Sequence, residues 1–224
     1  MTDKGQEERN AIIRQKMLDM KNIRIEKMPM DSPWLRPARM SFRQNGEDKA
    51  WDLSRIHDSV AIIVFNISRK KLIFVRQFRP AAYYATLPEK FQEVDIKNYP
   101  LETGLTLELC AGIIDKNATL AEIASIELRE ECGYEVPPTA FTEIVTYRDV
   151  GSTVGKHTLF YVEVSDEMHI HPGGGAESEG ELIEVVEMSP EEANNYIASG
   201  DVQSPPTFLY GVLWFLTAKK DRYC

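Results

Sequence analysis

One stretch, residues 109–134, constrains this chain most, because it predicts a short helix with an unusual face. Thr119 is a good N-cap residue, Glu122 follows it at the capping-box spacing, and Gly133 is placed to end the helix. One side of this helix is apolar in its first half and then continues with three carboxylates, those of Glu127, Glu130 and Glu131. The sequence therefore predicts a helix that packs by its first half and presents negative charge by its second half.

Three carboxylates at this spacing have two explanations. Like charges three or four residues apart repel each other, and burying them without partners would cost far more free energy. A hard divalent cation such as Mg²⁺ would remove both penalties, since it binds carboxylates together with phosphate oxygens. Alternatively, the helix end simply emerges from the core into water. The helix alone does not decide between the two.

Two apolar runs predict a hairpin at the centre of a sheet. Residues 59–66 are a continuous β-branched run, and residues 72–78 follow after the turn sequence SRKK. Residues 105–111 predict a further strand, which enters the helix through Gly112. The remaining elements are strands at 141–147, 157–164 and 182–188 and helices at 190–199 and 207–219. Strands and helices are interspersed without regular βαβ alternation, which indicates a mixed sheet.

The N-terminal region predicts a small antiparallel sheet. Residues 4–20 form a helix or a loose arm, and residues 23–30 and 39–45 alternate enough to be strands. Asn45-Gly46 is a strong hairpin signal, and a returning strand follows around Trp51. Such a three-stranded sheet over residues 23–54 buries little by itself, so it must pack on its own domain or on a second subunit. Long loops are expected at 84–104, 149–155 and 166–181.

Charge and cysteine usage exclude several classes of protein. The net charge of −9 and the lack of a basic, aromatic-interleaved patch argue against nucleic-acid binding. No signal-peptide core and no run of about 18 apolar residues is present, so we expect a cytoplasmic protein without a membrane segment. The three cysteines lack metal-site spacing and read as reduced thiols: Cys110, Cys132 and Cys224. The four histidines indicate no zinc site, and no G-x-S-x-G sequence supports a nucleophilic serine.

Residues 112–134 resemble the Nudix box, G-x5-E-x7-R-E-U-x-E-E-x-G-U, where U is an apolar residue. The glycines and glutamates at the pattern's spacing are Gly112, Glu127, Glu130, Glu131 and Gly133. Two positions depart from it, since Ala118 replaces the first Glu and Ile126 replaces the Arg. The segments HDSVAIIVFN, LIFVRQFRPA, ELCAGIID and GELIEVV are similar to the Nudix branch that hydrolyses ADP-ribose and nucleotide sugars. Within that branch, the likeness is greatest to enzymes that act on UDP-glucose.

The resemblance covers most of residues 33–217 and implies a fold and an assembly. The implied fold is a Nudix-type α/β/α sandwich around a mixed sheet, with the small N-terminal sheet added to it. Residues 1–55 would form an N-terminal arm and sheet that contacts the partner of a homodimer. Residues 56–224 would form the hydrolase domain.

The resemblance also implies a metal site. Glu127 and Glu131 would be the principal Mg²⁺ ligands, with the backbone carbonyl of Ala111 as a further ligand and Glu130 in a supporting catalytic role. Mn²⁺ could substitute for Mg²⁺ at this site. A later acidic loop would supply Glu179 as the catalytic base and Glu181 as another ligand. These two roles could be reversed, or Glu177 could take one of them.

Two arginines on the 72–79 strand are candidates for the substrate's phosphates. Arg76 and Arg79 should lie on opposite faces of the strand because successive side chains alternate. Arg79, at the strand end, is the stronger candidate for binding a diphosphate, and Arg76 and Glu108 are assigned to the substrate with it. The competing interpretation of Arg79 is a surface ion pair.

The function that follows is Mg²⁺-dependent hydrolysis of the diphosphate of a nucleoside diphosphate sugar. UDP-glucose would give UMP and glucose 1-phosphate. One alternative is the same chemistry on ADP-ribose, giving AMP and ribose 5-phosphate. The other is a Nudix module that binds a nucleotide sugar without cleaving it, which the departures at Ala118 and Ile126 would explain.

Overall fold

The computed structural model describes residues 3–28, 31–32, 35–89 and 93–223. The helices are α1 Asp3–Met17, α2 Pro80–Tyr84, α3 Leu120–Cys132, α4 Pro190–Ile197, α5 Pro206–Ala218 and α6 Lys220–Tyr223. The first five strands are β1 Arg36–Gln44, β2 Glu47–Arg55, β3 Ser59–Asn66, β4 Lys71–Phe78 and β5 Leu105–Glu108. The others are β6 Cys110–Ile113, β7 Thr142–Arg148, β8 Thr153–Val154, β9 Lys156–Val164 and β10 Glu184–Met188.

The main sheet is mixed and is built around the predicted hairpin. In the described residues its order is β10-β4-β3-β9-β7, with β5 paired to β4 and β6 paired to β3. β3 lies antiparallel to β4 and parallel to β9. Residues 60–66 are all buried, because β3 is covered on both faces and has strands on both sides. The continuous apolar run thus marks the centre of the sheet, as predicted.

Helices cover both faces of this sheet. On one face, α3 packs on a core that includes Val60, Ile62 and Val162. On the other face, α4 and α5 pack on a core that includes Phe65, Phe74 and Leu159. Alternate residues of the same strands feed the two cores, as strand geometry requires. The expected α/β/α sandwich is confirmed.

Helix α3 begins and ends where the sequence predicts. The Thr119–Glu122 capping box is formed in both directions, and Gly133 ends the helix in the left-handed conformation at φ 80°. The prediction that only its first half packs was wrong, because Leu128 and Cys132 are fully buried in the core. The apolar stripe therefore runs the full length of the helix, and the glutamates lie along its edge.

The predicted strand 105–111 is two strands. β5 pairs with β4, with Glu108 opposite Val75, whereas β6 pairs with β3, with Ala111 opposite Ala61. The break falls at Leu109, which is buried in the core beneath α5. This change of partner lets one short segment present Glu108 and Ala111 beside two different strands. The loop predicted from residue 84 is also preceded by the short helix α2, which the sequence did not indicate.

The small sheet differs from the prediction. β1 and β2 form the expected hairpin through Asn45 and Gly46, both at positive φ. The strand expected at 23–30 is wrong for the described residues 23–28, which form a single bridge from Arg24 to Glu93. Ile23 and Ile25 pack instead in a separate cluster around Tyr83. The third strand is β8, parallel to β2, from the loop expected at 149–155.

The remaining sequence predictions concern the termini and the cysteines. Residues 4–20 are mostly helical, in α1, which contacts β10 of the main sheet. Cys110 and Cys132 are buried free thiols, and Cys224 lies outside the described residues. No helix in the described ranges is long and apolar enough to cross a membrane.

Candidate active site

A cleft of about 340 Å³ opens where the carboxylate edge of α3 meets the ends of β3, β4 and β6. This volume lies within the range of small-molecule sites. The cleft gathers most of the sequence-predicted site residues: Arg79, Glu108, Ala111, Gly112, Glu127, Glu130, Glu131, Glu179 and Glu181. Asp115 and Lys116 lie at the same wall. The chain segments that supply these residues are far apart in sequence, so the cleft is a product of the tertiary fold.

Glu131 is the most buried carboxyl group of the cleft. Its side chain belongs to the last turn of α3, the residue is 3% exposed, and its Oε2 accepts a hydrogen bond from the Ala111 backbone N–H at 3.0 Å. Burial raises its pKa to about 8, and the charges of Glu127 and Glu181 act in the same direction. In the absence of a cation, this carboxyl group is therefore mostly protonated at neutral pH.

Glu127 lies one turn earlier on the same edge. Burial is the main cause that raises its pKa to about 7, opposed by the charge of Lys116 and reinforced by the nearby glutamates. A Cβ atom on Gly112 would lie 2.0 Å from the Glu127 carboxyl carbon, so the glycine of the box is needed for this side chain to occupy its place. The glycine at this position thus allows a close contact between β6 and the Glu127 side chain of α3.

These carboxyl groups have the chemistry of a hard-cation site. Oxygen donors with raised pKa values lose their protons when a divalent cation supplies the compensating charge. In the described part of the chain, no three His, Cys, Asp or Glu side chains already converge tightly enough to hold an ion. The donors are all oxygen atoms, which suit a hard cation such as Mg²⁺, but these side chains would have to move closer together to bind it.

Arg79 faces the cleft and is held by Glu108. Its Nε and Nη2 donate to the two carboxylate oxygens at 2.7 Å each, and Thr106 donates to the same carboxylate at 2.6 Å. This bidentate contact with Glu108 raises the pKa of Arg79. Glu108 is buried and Arg79 is partly exposed, so the ion pair forms part of the cleft wall. The Arg79 side chain lines the same cleft as the glutamates of α3.

The structure does not bring Arg76 into this cleft. Arg76 lies on the opposite face of β4, where its Nη1 is 3.2 Å from the buried carboxylate of Glu184. Arg14 of α1 binds the same carboxylate through two hydrogen bonds. The two arginines therefore lie on opposite faces of β4, as predicted. Arg79 lines the cleft, whereas Arg76 pairs with Glu184.

The acidic loop reaches the cleft through two glutamates. Glu179 and Glu181 both line it, and Glu181 accepts a hydrogen bond from the Ala176 backbone N–H at 2.8 Å. The side chain of Glu177 is not among those described. The charges of Glu179 and Glu181 both act on Glu127, which places the loop close to the helix edge.

A second wall of the cleft was not predicted. Ser59 and His157 are partners in the parallel β3–β9 pair, and the Ser59 Oγ lies 2.7 Å from Nδ1 of His157. Asp149 lies 3.3 Å from Nε2 of the same ring. The ring packs on Tyr147, whose hydroxyl group bonds that of Thr207. The register of β3 against β9 and β7, together with the packing of α5, joins these residues, so spacing in the sequence could not reveal them.

The fold and the cleft together define the Nudix class of α/β proteins, in which a glutamate-bearing helix follows a glycine at a strand end. No family model matches the chain. The chain is 39% identical over 200 residues to uridine diphosphate glucose pyrophosphatase NUDT14 of Mus musculus, covering 83% of this chain and 90% of that protein. The NUDT14 protein of Bos taurus is 39% identical over 199 residues, with the same coverage.

A more distant similarity supports the same conclusion. The GDP-mannose pyrophosphatase of Cronobacter sakazakii is 29% identical over 152 residues, which cover 68% of this chain and 70% of that protein. The chain therefore belongs to the Nudix hydrolase family and is an enzyme of that family.

Proposed function

We propose that this protein hydrolyses the diphosphate of a nucleoside diphosphate sugar with Mg²⁺, and that UDP-glucose is its substrate, giving UMP and glucose 1-phosphate. The observation that carries the proposal is the placement of Arg79 and the glutamates of α3 in one cleft. A diphosphate needs cationic groups around it, and this acidic chain can supply them there through Arg79 and a bound cation. The names of the relatives, which act on UDP-glucose and GDP-mannose, support the substrate class.

The resemblance supplies a role for each residue, and the gathering of these residues in one cleft supports those roles. Glu127, Glu131 and Glu181, with the Ala111 carbonyl, are the residues that would hold the cation, and Glu130 would support them. When bound, the cation would polarise the diphosphate and lower the pKa of the attacking water. Glu179, at the cleft rim, would take the proton from the water. The same residues would also bind Mn²⁺.

Arg79 would contact the diphosphate from the other side. Glu108 fixes its guanidinium in one orientation, which reduces the entropy lost when it binds phosphate oxygens. Because the group is already oriented, it would stabilise the charge that develops on the leaving phosphate without rearranging.

A substrate panel with identified products tests the proposal. UDP-glucose, GDP-mannose and ADP-ribose would be incubated separately with the protein in Mg²⁺, and the products would be separated and identified. We expect UMP and glucose 1-phosphate, with the highest kcat/KM for UDP-glucose. Glu131→Gln should fold and lose turnover; a near-normal rate in this variant at saturating Mg²⁺ would exclude the proposed metal role. Tight binding of UDP-glucose without release of UMP would instead support a binding module.

We also propose that the protein is a homodimer and that the β1–β2 hairpin contacts the second copy. Nearly every residue of this hairpin is exposed, and the cross-strand neighbours Met40 and Trp51 are 55% and 58% exposed. Large apolar side chains paired on an exposed strand are suited to an interface. Sedimentation should give twice the 25.5 kDa chain mass, and Trp51→Ala should shift the equilibrium toward the monomer. A wild-type species of 25.5 kDa at all concentrations would contradict the dimer.

A further inference from the structure

The N-terminal helix α1 contacts a short segment that lies between helix α3 and the acidic loop, the two elements that carry the cleft glutamates. This segment is the glycine run Gly173–Gly175, which leads into the acidic loop. Arg9 of α1 donates from its Nη2 to the Gly173 carbonyl at 2.8 Å. The neighbouring Asn10 donates instead to the Val185 carbonyl of β10 at 2.7 Å. Adjacent residues of one helix therefore contact the glycine run and the sheet separately.

The glycine run closes the carboxyl end of the glutamate helix. The backbone N–H groups of Gly174 and Gly175 donate to the carbonyls of Glu131 and Glu130 at 2.9 and 3.1 Å. Carbonyls in the last turn of a helix have no partner within it, so these bonds fix the turn that carries two cleft carboxylates. A Cβ on Gly173 would lie 2.2 Å from the Glu131 carbonyl oxygen, which shows how closely the run packs on the helix.

The same run also fixes the acidic loop. Ile183 donates its backbone N–H to the Gly174 carbonyl at 3.1 Å, which closes the loop that contains Glu179 and Glu181. The carboxylate of Glu181 accepts from the N–H of Ala176, the residue after the run, at 2.8 Å. The glycine run and Ala176 thus hold the helix end on one side and the acidic loop on the other.

We propose that Arg9 is a positioning residue of the active site: by holding Gly173–Gly175, it sets the separation between the glutamates of α3 and Glu181. The catalytic consequence rests on the proposed function, whereas the geometric consequence does not. The N-terminal helix is then part of the hydrolase body and necessary for the site.

Three variants test this role. Arg9→Met removes the hydrogen bond and the charge but keeps much of the aliphatic stem, and Arg9→Lys keeps the charge and one donor. Asn10→Ala is the matched control, since it removes a bond of the same helix to the sheet and leaves the glycine run untouched. Amide hydrogen exchange at Gly174 and Gly175, the affinity for Mn²⁺ alone, and kcat and KM would be measured for each.

We expect faster exchange at Gly174 and Gly175 in Arg9→Met, and a loss of Mn²⁺ affinity and kcat of about 10- to 100-fold with little change in KM. Arg9→Lys should recover part of both losses, and it remains informative should the methionine variant fail to fold. Unchanged exchange and Mn²⁺ affinity in Arg9→Met, or an equal loss in Asn10→Ala, would overturn the proposal. Altered exchange and Mn²⁺ affinity in a protein that cleaves no nucleotide sugar would support the positioning role and exclude the proposed function.

Discussion

The carboxyl group of Glu131 is almost completely buried and lies in the cleft, so its removal should affect stability and turnover in opposite directions. Burial raises its pKa from 4.5 to about 8 in the folded protein. The folded state therefore binds more protons than the unfolded chain between these two pH values, and stability falls as the pH rises through that window. At about 1.4 kcal/mol per pH unit, this one group lowers the free energy of unfolding by about 4 kcal/mol between roughly pH 5 and pH 9.

Replacement by glutamine removes this titration and keeps an oxygen that can accept from the Ala111 N–H. With a chelator present to remove divalent cations, the stability of Glu131→Gln should be close to that of the wild type near pH 5. The difference should grow to about 4 kcal/mol in favour of the variant near pH 9. Urea denaturation at three pH values measures this difference. The same variant should be inactive in Mg²⁺.

Glu130→Gln supplies the control, because Glu130 lies on the same helix edge but is only half-buried. The stability of Glu130→Gln should follow the pH dependence of the wild type more closely than the stability of Glu131→Gln does. Parallel pH curves for the wild type and Glu131→Gln would refute the reasoning, since they would mean that burial does not disfavour the ionised carboxylate. Added Mg²⁺ should stabilise the wild type more than Glu131→Gln at alkaline pH, because ligand binding to the folded state shifts unfolding by mass action.

Three further predictions concern other parts of the site helix and cleft. Gly112→Ala should lower turnover by about 10- to 100-fold while the protein stays folded, because the new Cβ displaces the Glu127 carboxyl group. Steady-state kinetics measures the turnover, and circular dichroism checks that the protein is folded. Arg79→Lys should lower kcat/KM by about tenfold or more, because lysine cannot reproduce the bidentate contact with Glu108; unchanged kinetics would exclude a phosphate role for Arg79. Thr119→Ala should lower the free energy of unfolding by about 1 kcal/mol through loss of the N-cap, with the activity per folded molecule unchanged; denaturation and kinetics together test it.

Local signals predicted the helix and the sheet centre well. The capping box and the terminal glycine of α3 are short-range interactions, so the sequence determines both ends of the helix. β3 is apolar at every position from Val60 to Phe65, and such a run indicates a strand covered on both faces. The strand expected at 23–30 shows the limit of this reasoning. Ile23 and Ile25 pack against a cluster around Tyr83 that is distant in the sequence, and no local pattern reveals this contact.

The glutamates show what each level of structure contributes. Their spacing placed Glu127, Glu130 and Glu131 on one edge of α3 from the sequence alone, because helix periodicity is a local property. The raised pKa values of Glu127 and Glu131 arise from burial among residues far away in the chain. Likewise, strand alternation separated Arg76 from Arg79, but only the packing of β4 decided which of them faces the cleft.

The sequence by itself determined the family box, the glutamate-bearing helix and the hairpin at the centre of the sheet. The tertiary structure alone decided the register that places Ser59 beside His157, the strand that β8 adds to the small sheet, and the contact of Arg9 with the glycine run. The physical reason is the range of the interactions involved. Caps, periodicity and turn residues act within a few positions, whereas register, burial and long-range hydrogen bonds exist only after distant segments have packed together.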